Sequence, residues 1–206
     1  MLKFERQFYS DTIHAIVGVD EAGRGPLAGP VVAAAVVFPP DYASEAINDS
    51  KQLTEKKREA LYQEVIDHAL GYGIAFVSAE EIDSLNIYMA TQKAMREAIA
   101  QIKCPYDLIL TDAMRMEGFD VPLIPVIKGD AKALNIAGAS ILAKVTRDRY
   151  MNELQEKYPN FSFSIHKGYG TAKHLEELEK FGPIEGIHRK SFKPVAKFYQ
   201  EQLTLF

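Results

Sequence analysis

The chain has 206 residues, of which 47% are apolar, a composition that suits one compact domain with a sizeable core. Its single cysteine, Cys104, excludes an intramolecular disulfide and favours a reducing compartment. The longest apolar run, residues 31–38, is too short to cross a bilayer. The charged start of the sequence also lacks the apolar core of a signal peptide. We therefore expect a cytoplasmic protein with no membrane association.

The net charge of −4 excludes a protein coated with positive charge for nonspecific DNA binding. The charge is unevenly distributed, however. Residues 128–197 carry 13 Lys and Arg against 8 Asp and Glu, whereas the remaining residues carry 11 against 20. This excess either forms a local basic face or belongs to ordinary solvated helices, and charge alone favours the second interpretation.

The first half of the chain predicts a strand hairpin followed by a helix. Residues 12–19 predict a strand, which leads through a glycine- and proline-rich turn into a second strand at residues 31–38. A short link between two strands favours antiparallel pairing. Thr54 is the expected N-cap of a helix that runs to about residue 70.

The second half alternates strands with helices. Further strands are expected at residues 72–77, 107–110 and 121–127, the last displaced towards a sheet edge by two prolines. Helices are expected after a capping box formed by Ser78 and Glu81, and over residues 89–102, 133–158, 171–181 and 192–200. A hairpin followed by such alternation predicts an α/β sandwich with a mixed sheet.

Acidic residues interrupt the apolar strands at their ends. Asp20 and Glu21 follow the first strand, Asp112 ends a later one, and Asp130 precedes a helix. Four carboxylates brought together would repel one another, so such a site implies divalent cations, and oxygen ligands without a Cys or His cluster favour Mg²⁺ or Mn²⁺. Sites of this kind displace groups at phosphorus, using two ions roughly 3.5–4 Å apart. The alternative is that these acids are helix caps and turn residues, which spacing alone favours for Asp130.

Two of these acids raise a geometric problem. Asp20 and Glu21 are neighbours, and neighbouring side chains on a regular strand point to opposite faces. If both belong to one metal site, either the strand ends or bulges there, or Glu21 contributes partly through its backbone carbonyl.

A glycine turn follows the acid pair directly. Gly23 and Gly25 flank Arg24, which lets the backbone approach a ligand closely and adopt positive φ. Backbone amides in such a turn can read a small polar group such as a ribose 2′-hydroxyl. The turn alone is weak support, because many strand connections contain glycine, and it lacks the ending of a Walker loop.

Taken together, these motifs resemble the signature of the ribonuclease HII family. The matching segments are residues 20–32, 49–51, 111–112, 128–130, 139–148, 168–171 and 188–192. The resemblance spans residues 17–195, and several long motifs in the right order argue against coincidence. The sister family, ribonuclease HIII, carries Ser and Lys where this chain has Ala22 and Arg24, which favours HII. Gly138 and Lys167 depart from the pattern, which leads us to expect Ala and Pro there.

The resemblance implies a ribonuclease H-like mixed sheet flanked by helices, with a small helical C-terminal extension. It divides the chain into a catalytic domain at residues 1–160, a helical segment at 161–200 that completes the substrate site, and a tail at 201–206. The implied metal-binding active site comprises Asp20, Glu21, Asp112 and Asp130.

The same resemblance implies the contacts with substrate. Gly23, Arg24 and Gly25 would contact the ribonucleotide, Tyr169 would stack on the sugar just past the RNA–DNA junction, and Lys51 would hold a backbone phosphate. Lys144 and Arg147 lie on one face of a predicted helix and either meet phosphates or face solvent. His166, His174 and His188 share no ligand spacing, so we assign them no metal.

The implied activity is hydrolysis on the 5′ side of a ribonucleotide, in a DNA duplex or an RNA–DNA hybrid. The products are a 3′-hydroxyl and a 5′-phosphate, the cofactor is two ions of Mg²⁺ or Mn²⁺, and the enzyme acts as a monomer in ribonucleotide removal. A second hypothesis keeps the fold but acts on DNA alone, as a junction resolvase or other nuclease. A third is a noncatalytic nucleotide-binding module. The glycine turn with Tyr169 argues against the second, and the acid cluster against the third.

The C-terminal residues allow two interpretations. They either pack on the body of the protein or form a short linear motif for a partner's groove. The motif would comprise Gln202, Leu203, Leu205 and Phe206. It resembles the pentapeptide by which bacterial replication and repair proteins hold the DNA polymerase sliding clamp.

Overall fold

The computed structural model describes residues 2–47 and 54–203. Within these ranges one mixed sheet is formed by β1 (Ile16–Ala22), β2 (Val31–Val37), β3 (Gly71–Val77), β4 (Leu108–Asp112) and β5 (Leu123–Val126). The strand order is β3-β2-β1-β4-β5. β3, β2 and β1 pair antiparallel, whereas β1, β4 and β5 run parallel. The predicted mixed sheet, its leading hairpin and the edge position of the proline-containing strand are confirmed.

Helices flank this sheet, and the last three of them follow it in the C-terminal segment. They are α1 (Leu2–Glu5), α2 (Glu55–His68), α3 (Ala79–Leu85), α4 (Ile87–Ile99), α5 (Leu134–Lys157), α6 (Phe163–His166), α7 (Ala172–Phe181) and α8 (Lys193–Leu203). Short 3₁₀ turns occupy Arg6–Phe8 and Gly129–Ala131. Thr54 caps α2, Thr171 caps α7, and Ser78 forms the predicted capping box with Glu81. None of the helices in the described part of the chain has the length and apolar run that a membrane span requires.

The core consists of two apolar layers on opposite faces of the sheet. β2 is buried along its whole length, and its alternate residues face different layers. Ala33 and Ala35 pack with α4, whereas Ala34 and Val36 pack with α2 and α5. Small side chains on β2 let helices approach both faces closely, so the sheet forms the middle of a three-layer sandwich.

The first strand differs from its predicted bounds. It begins at Ile16 rather than at residue 12, and it continues through Glu21 to Ala22 rather than ending at residue 19. The preceding residues are held outside the sheet, since the amides of His14 and Ala15 donate to the Asp107 carboxylate at 2.8 and 3.1 Å. The expectation that the strand ends before the acid pair is therefore wrong.

The N-terminal segment anchors the longest helix. α5 begins without a side-chain cap of its own. Glu5, which is buried, accepts the Leu134 amide at 2.6 Å and also a hydrogen bond from the Asn135 side chain. The Asn135 side chain in turn accepts the Phe38 amide at 2.6 Å. A residue from the start of the chain thus satisfies helix donors that would otherwise be orphaned.

The last three helices pack together on a third apolar cluster. Leu27 and Ala28 enter it from the glycine turn, and Met151 and Leu154 enter it from the end of α5. The other buried members come from the C-terminal segment: Phe161, Phe163, Leu178 and Val195. Gly138, the first departure from the family pattern, lies on α5 under the Phe38 ring, where an added methyl group would be crowded. The division of the chain into domains remains a prediction.

Candidate active site

The sheet brings the acids of β1 and β4 to one edge. The two strands run parallel, and Val19 pairs with Thr111. Asp20 and Asp112 each follow that pair by one residue, so they lie level on adjacent strands. Asp130 lies nearby in the 3₁₀ turn, because the preceding amide, that of Gly129, donates to Asp112 Oδ1 at 2.7 Å.

Burial and mutual repulsion act on these carboxylates. Asp20 is 5% exposed, and its pKa is raised well above the ordinary value by burial first and then by the charges of Glu21 and Asp112. Burial raises the pKa of Glu21 as well, with Asp112 adding to it and Arg24 opposing it. Asp20 and Glu21 therefore both lie within the electrostatic field of Asp112, as expected for groups that share one site.

Hydrogen bonds hold Asp20 in place. Its Oδ1 accepts the Glu21 amide at 2.7 Å, and the Ser140 hydroxyl on α5 donates to the same carboxylate. Ser140 was not singled out in the sequence as a site residue. Its position in the middle of a long apolar helix gives no sign that the hydroxyl faces an acid on the sheet.

Glu21 lies on a regular strand. It pairs with Ala33 between two regular neighbouring pairs, so the strand neither ends nor bulges at the acid pair. Its Oε1 accepts Arg24 Nη1 at 3.2 Å. Its Oε2 is buried, and no donor among the described residues reaches it. The described part of the chain holds no group of three or more His, Cys, Asp or Glu side chains arranged to hold an ion.

The glycine turn is built on the far side of the acid pair. Gly23 has φ +96°, a left-handed value that favours glycine. Gly25 has no positive φ, so the expectation of such freedom at both glycines holds only for Gly23. Arg189, fully buried, donates to the carbonyls of Gly23, Arg24 and Gly29 at 2.6–3.0 Å. Because the buried Arg189 side chain binds these carbonyls, it fixes the conformation of the turn from the protein interior.

A second buried arginine supports the same region. Arg147 is 1% exposed and donates to the carbonyls of Ala28, Pro30 and Lys167 at 3.0–3.1 Å. In the described ranges neither Arg147 nor Arg189 forms an ion pair with a carboxylate. A guanidinium stays charged at neutral pH, so two cations lie beneath the turn.

This arrangement bears on the two cations predicted on the face of α5. Because Arg147 uses all three guanidinium nitrogens on backbone carbonyls, its geometry favours a structural role over the expected phosphate contact. Lys144 is more exposed and forms an ion pair with Asp148, one turn along the helix. Its ammonium therefore remains at the surface, where a phosphate can compete for it.

An open cleft of about 400 Å³ joins Glu21 to the glycine turn. Its lining includes Glu21, Gly23, Arg24 and Gly25 on one side, with Arg58, Ser140, Lys144 and Tyr169 around them. Tyr169 is 46% exposed, and a methyl group added at Gly25 would lie 3.7 Å from its ring. Arg58, on α2, was not predicted from the sequence. Helical position alone did not distinguish it from the other cations of its segment.

Other predicted residues cannot be placed at this cleft. Lys51 lies outside the described residues, as do Leu205 and Phe206. Gln202 and Leu203 belong to the last turn of α8, but their side chains are not described. Lys167, the second departure from the family pattern, has φ +49°, which a proline ring cannot adopt. The turn before Tyr169 therefore requires a residue other than the expected Pro.

Comparison with known proteins identifies the family of this chain. The family model for ribonuclease HII matches residues 17–195. A ribonuclease HII from Ruminiclostridium cellulolyticum is 53% identical over 192 residues, covering 93% of this chain and 75% of the relative. One from Bacillus mycoides is 49% identical over 201 residues, covering 98% and 77% respectively.

Solved structures agree with the sequence relatives. The ribonuclease H2 of Pyrococcus horikoshii OT3 superposes with a TM-score of 0.78 at 28% identity, covering 91% of this chain and 98% of that one. The ribonuclease HII in the PCNA complex from Archaeoglobus fulgidus gives a TM-score of 0.73 at 25% identity, covering 93% and 100%. The chain belongs to the ribonuclease HII family and is a ribonuclease H endonuclease.

Proposed function

We propose that the cleft hydrolyses the phosphodiester on the 5′ side of a ribonucleotide, in a DNA duplex or in an RNA–DNA hybrid. The observation that carries the proposal is that one cleft joins Glu21, the glycine turn and Tyr169. Asp20 and Asp112 lie directly beside it at the sheet edge. A recognition element for a sugar is thus in contact with a cluster of acids suited to chemistry at phosphorus.

We further propose that Asp20, Glu21, Asp112 and Asp130 hold two divalent cations, Mg²⁺ or Mn²⁺. The carboxylates fit hard cations, since Glu21 Oε2 is a buried acceptor that no described donor satisfies. Burial and repulsion raise the pKa of Asp20 and Glu21, and positive charge would relieve both. Bound divalent cations would supply an activated water and charge stabilisation at the leaving oxygen. Because β1 neither ends nor bulges at Glu21, the remaining alternative is that Glu21 contributes to the metal site partly through its backbone carbonyl.

The chain's own residues provide recognition and orientation. Arg189 holds the carbonyls of Gly23 and Arg24 inward, which leaves the amides of the turn to meet a ribose 2′-hydroxyl. Arg24 pairs with Glu21 at 3.2 Å. The recognition turn and the acid cluster are thereby linked directly, so binding of the ribonucleotide can influence how Glu21 is held.

The walls of the cleft supply cations for the substrate backbone. Lys144 from α5 and Arg58 from α2 line it across from the glycine turn. Lysine and arginine contacts with phosphates position a duplex without reading its sequence. We propose these two residues, together with Lys51, as phosphate contacts that set the register of the strand. The enzyme is proposed to act in the cytoplasm as a monomer, removing misincorporated ribonucleotides and hybrid RNA.

The solved complex of a ribonuclease HII with PCNA from Archaeoglobus fulgidus supports a partner for this chain. We propose that the motif of Gln202, Leu203, Leu205 and Phe206 binds a sliding clamp. The alternative is that the same residues pack on the body of the protein. A truncation after Gln200 distinguishes the two hypotheses.

The activity is tested with three labelled duplexes of one sequence: all DNA, DNA with a single ribonucleotide, and an RNA–DNA hybrid. We expect cleavage of the second and third with Mg²⁺ or Mn²⁺, and none of the first. End mapping should give a 3′-hydroxyl on the upstream product and a 5′-phosphate on the ribonucleotide. Cleavage of the all-DNA duplex or of a four-way DNA junction, with no preference for ribose, would favour the resolvase hypothesis instead.

A further inference from the structure

Three histidines that are far apart in the sequence form one buried cluster behind the Tyr169 loop. His166 ends α6, His174 lies in α7 and His188 precedes α8, and each is 5% exposed or less. The His166 and His174 rings stack with centroids 4.1 Å apart and planes 8° from parallel. Phe161 and Phe163 pack around them. Aromatic packing on several sides fixes the ring planes.

The hydrogen bonds of two of these rings form a directed chain. The Ile184 amide donates to His188 Nδ1 at 2.8 Å, so the proton of the neutral ring is on Nε2. His188 Nε2 faces His174 Nε2 at 3.1 Å and donates to it. His174 must then carry its proton on Nδ1, which lies 2.9 Å from the Tyr169 carbonyl. The Ile184 amide thus fixes the tautomer of His188, and the His188 proton and the Tyr169 carbonyl both place the proton of His174 on Nδ1, so that the chain ends at Tyr169.

The third histidine holds the residue before Tyr169. The Gly168 amide donates to His166 Nδ1 at 3.0 Å, so His166 carries its proton on Nε2 and donates to Glu177 Oε2 at 3.0 Å. The same carboxylate oxygen accepts the Ser162 amide at 3.0 Å. Within the cluster, therefore, every ring nitrogen is used by a partner, and the loop is held on both sides of the peptide that joins Gly168 to Tyr169.

Burial keeps this chain neutral. Desolvation, followed by repulsion from His166, lowers the pKa of His174 to about 4. Desolvation, followed by repulsion from His174, lowers the pKa of His188 to about 3. Protonation of His174 would place two N–H groups face to face at 3.1 Å, and protonation of His188 would place its Nδ1–H against the Ile184 amide at 2.8 Å. At neutral pH the single arrangement of protons is thus maintained.

The position of the Tyr169 ring depends on its backbone. The ring is 46% exposed in the cleft, where it has few neighbours to orient it. Its backbone is held closely: its amide donates to the His166 carbonyl at 2.8 Å, and its carbonyl accepts both the Thr171 amide and His174. A change in these contacts would rotate the ring relative to Gly25 on the opposite wall.

We propose that His188 and His174 form a tautomer-locked relay that sets the backbone of Tyr169, and that they are positioning residues for the choice of a single ribonucleotide. The inference rests on the proposed contact of Tyr169 with the sugar. It adds to that contact the residues that hold the tyrosine in its productive pose.

A matched pair of substitutions at His174 tests the last link of the relay, which is the hydrogen bond from His174 Nδ1 to the Tyr169 carbonyl. In His174→Asn the side-chain amide can still donate from the Nδ1 position to Tyr169. In His174→Gln the polar group reaches only the Nε2 position, and that bond is lost. We expect His174→Gln to reduce the preference for a single ribonucleotide over a long hybrid by about tenfold, the effect of one net hydrogen bond, and His174→Asn to stay near wild type. Equal losses in the two variants would overturn the proposal.

Combination with Tyr169→Ala separates positioning from general packing. If His174 acts through Tyr169, His174→Gln should have no further effect on substrate preference once the ring is removed. Melting temperatures of all variants show whether a loss of activity follows a loss of fold. An undiminished effect of His174→Gln in the Tyr169→Ala background would also overturn the proposal.

Nuclear magnetic resonance of ¹⁵N-labelled histidine tests the relay without reference to activity. We expect His174 to be protonated on Nδ1 and His188 on Nε2 in the wild-type protein. His188→Asn, which can still accept the Ile184 amide but cannot reach His174, should shift the ¹⁵N resonance of His174 Nε2, because that nitrogen loses its donor. A His174 ring protonated on Nε2 in the wild type would exclude the relay. If Tyr169→Ala leaves substrate preference unchanged, the proposed role of Tyr169 fails instead, and the tautomers still decide the relay.

Discussion

Asp20 carries an energetic conflict that its function explains. It is buried beside two other acids, and burial raises its pKa above the ordinary value. A raised pKa in the folded state means that the protonated form favours folding, and that the stability is lost as the pH rises through that pKa. At neutral pH without metal, the charged site therefore destabilises the fold, as is common for preorganised sites.

Asp20→Asn should relieve this conflict while removing activity. Asn keeps an oxygen that accepts the Glu21 amide, so the local structure is retained. In metal-free buffer at pH 7 we expect the free energy of unfolding to rise by about 1–2 kcal/mol, because a neutral amide avoids the cost of burying a charge beside other acids. Addition of Mg²⁺ should raise the melting temperature of the wild type more than that of the variant. Asp120→Asn, on an exposed acid that does not line the cleft, serves as the control. A variant less stable than wild type without metal would contradict the argument.

Asp112→Asn tests the metal assignment from the other strand. The Asn oxygen can still accept the Gly129 amide, which Asp112 Oδ1 accepts at 2.7 Å in the native site. We expect an intact fold, much of the duplex affinity retained, and turnover lost even in excess Mg²⁺. Circular dichroism, duplex binding and cleavage are measured on one preparation. Near-normal cleavage would remove Asp112 from the site.

The sequence predicted the acids because they follow apolar strands and lie in family motifs, and it predicted the glycine turn because that motif is continuous. It did not predict the residues that support them. Arg189 and Arg147 act on backbone carbonyls of a distant segment, and any sequence provides such carbonyls. The histidine cluster joins positions 166, 174 and 188 with no metal-ligand spacing. Its partners are chiefly backbone groups and one another, so only the fold brings its members together.

At the scale of elements, the site depends on how closely β1 lies against α5. Gly18 on β1 faces the start of the helix, and an added methyl group would lie well inside van der Waals distance of the Asn135 backbone. Backbone atoms cannot rotate away as a side chain can. The contact fixes the distance between Asp20 on the strand and Ser140 on the helix.

Gly18→Ala should therefore be strongly destabilising. We expect a loss of about 2–4 kcal/mol in the free energy of unfolding, at the upper end for overpacking because α5 must move as a unit. Denaturant titration measures it. Gly71→Ala on β3 is a matched control, since the nearest obstacle there is the Cys104 side chain at 3.0 Å rather than backbone. If Gly18→Ala lowers the free energy of unfolding no more than Gly71→Ala does, α5 can move to accommodate the methyl group, and the argument is wrong.

The bounds of the elements show where sequence patterns stop. Alternation and capping residues predicted the sheet, the helices and the capping box at Ser78. The start of β1 was placed four residues too early, because the amides of His14 and Ala15 bind Asp107 from a distant loop. Likewise, the cap that Glu5 supplies to α5 involves contacts 129 residues apart. Local propensity does not contain such long-range partners.

At the scale of the whole molecule, the C-terminal segment and the glycine turn form one structural unit. The Leu27 amide donates to the Gly168 carbonyl at 2.7 Å, and the Arg189 amide donates to the Leu27 carbonyl at 2.9 Å. The Gly29 amide donates to the Ile187 carbonyl at 2.9 Å. The segment after residue 160 therefore holds the turn that we propose as the contact for the ribonucleotide.

Removal of the tail after Gln200 tests whether it serves the fold or a partner. The anchoring contacts of α8 lie before this point, because Val195 is fully buried and Phe198 and Tyr199 pack against the same apolar cluster. The truncated protein should therefore keep its melting temperature and its cleavage of a short duplex. Binding to a purified bacterial sliding clamp, measured by surface plasmon resonance, should be abolished.

A full-length control separates the motif from the length of the helix. Leu205→Ala combined with Phe206→Ala keeps every residue of α8 and removes only the apolar side chains that a clamp groove would bind. This variant should lose clamp binding as completely as the truncation does. If either protein instead loses thermal stability and activity together, the tail packs on the body, and the clamp proposal is excluded. The clamp proposal is also excluded if the wild-type protein does not bind the clamp, even when both variants keep their thermal stability and activity.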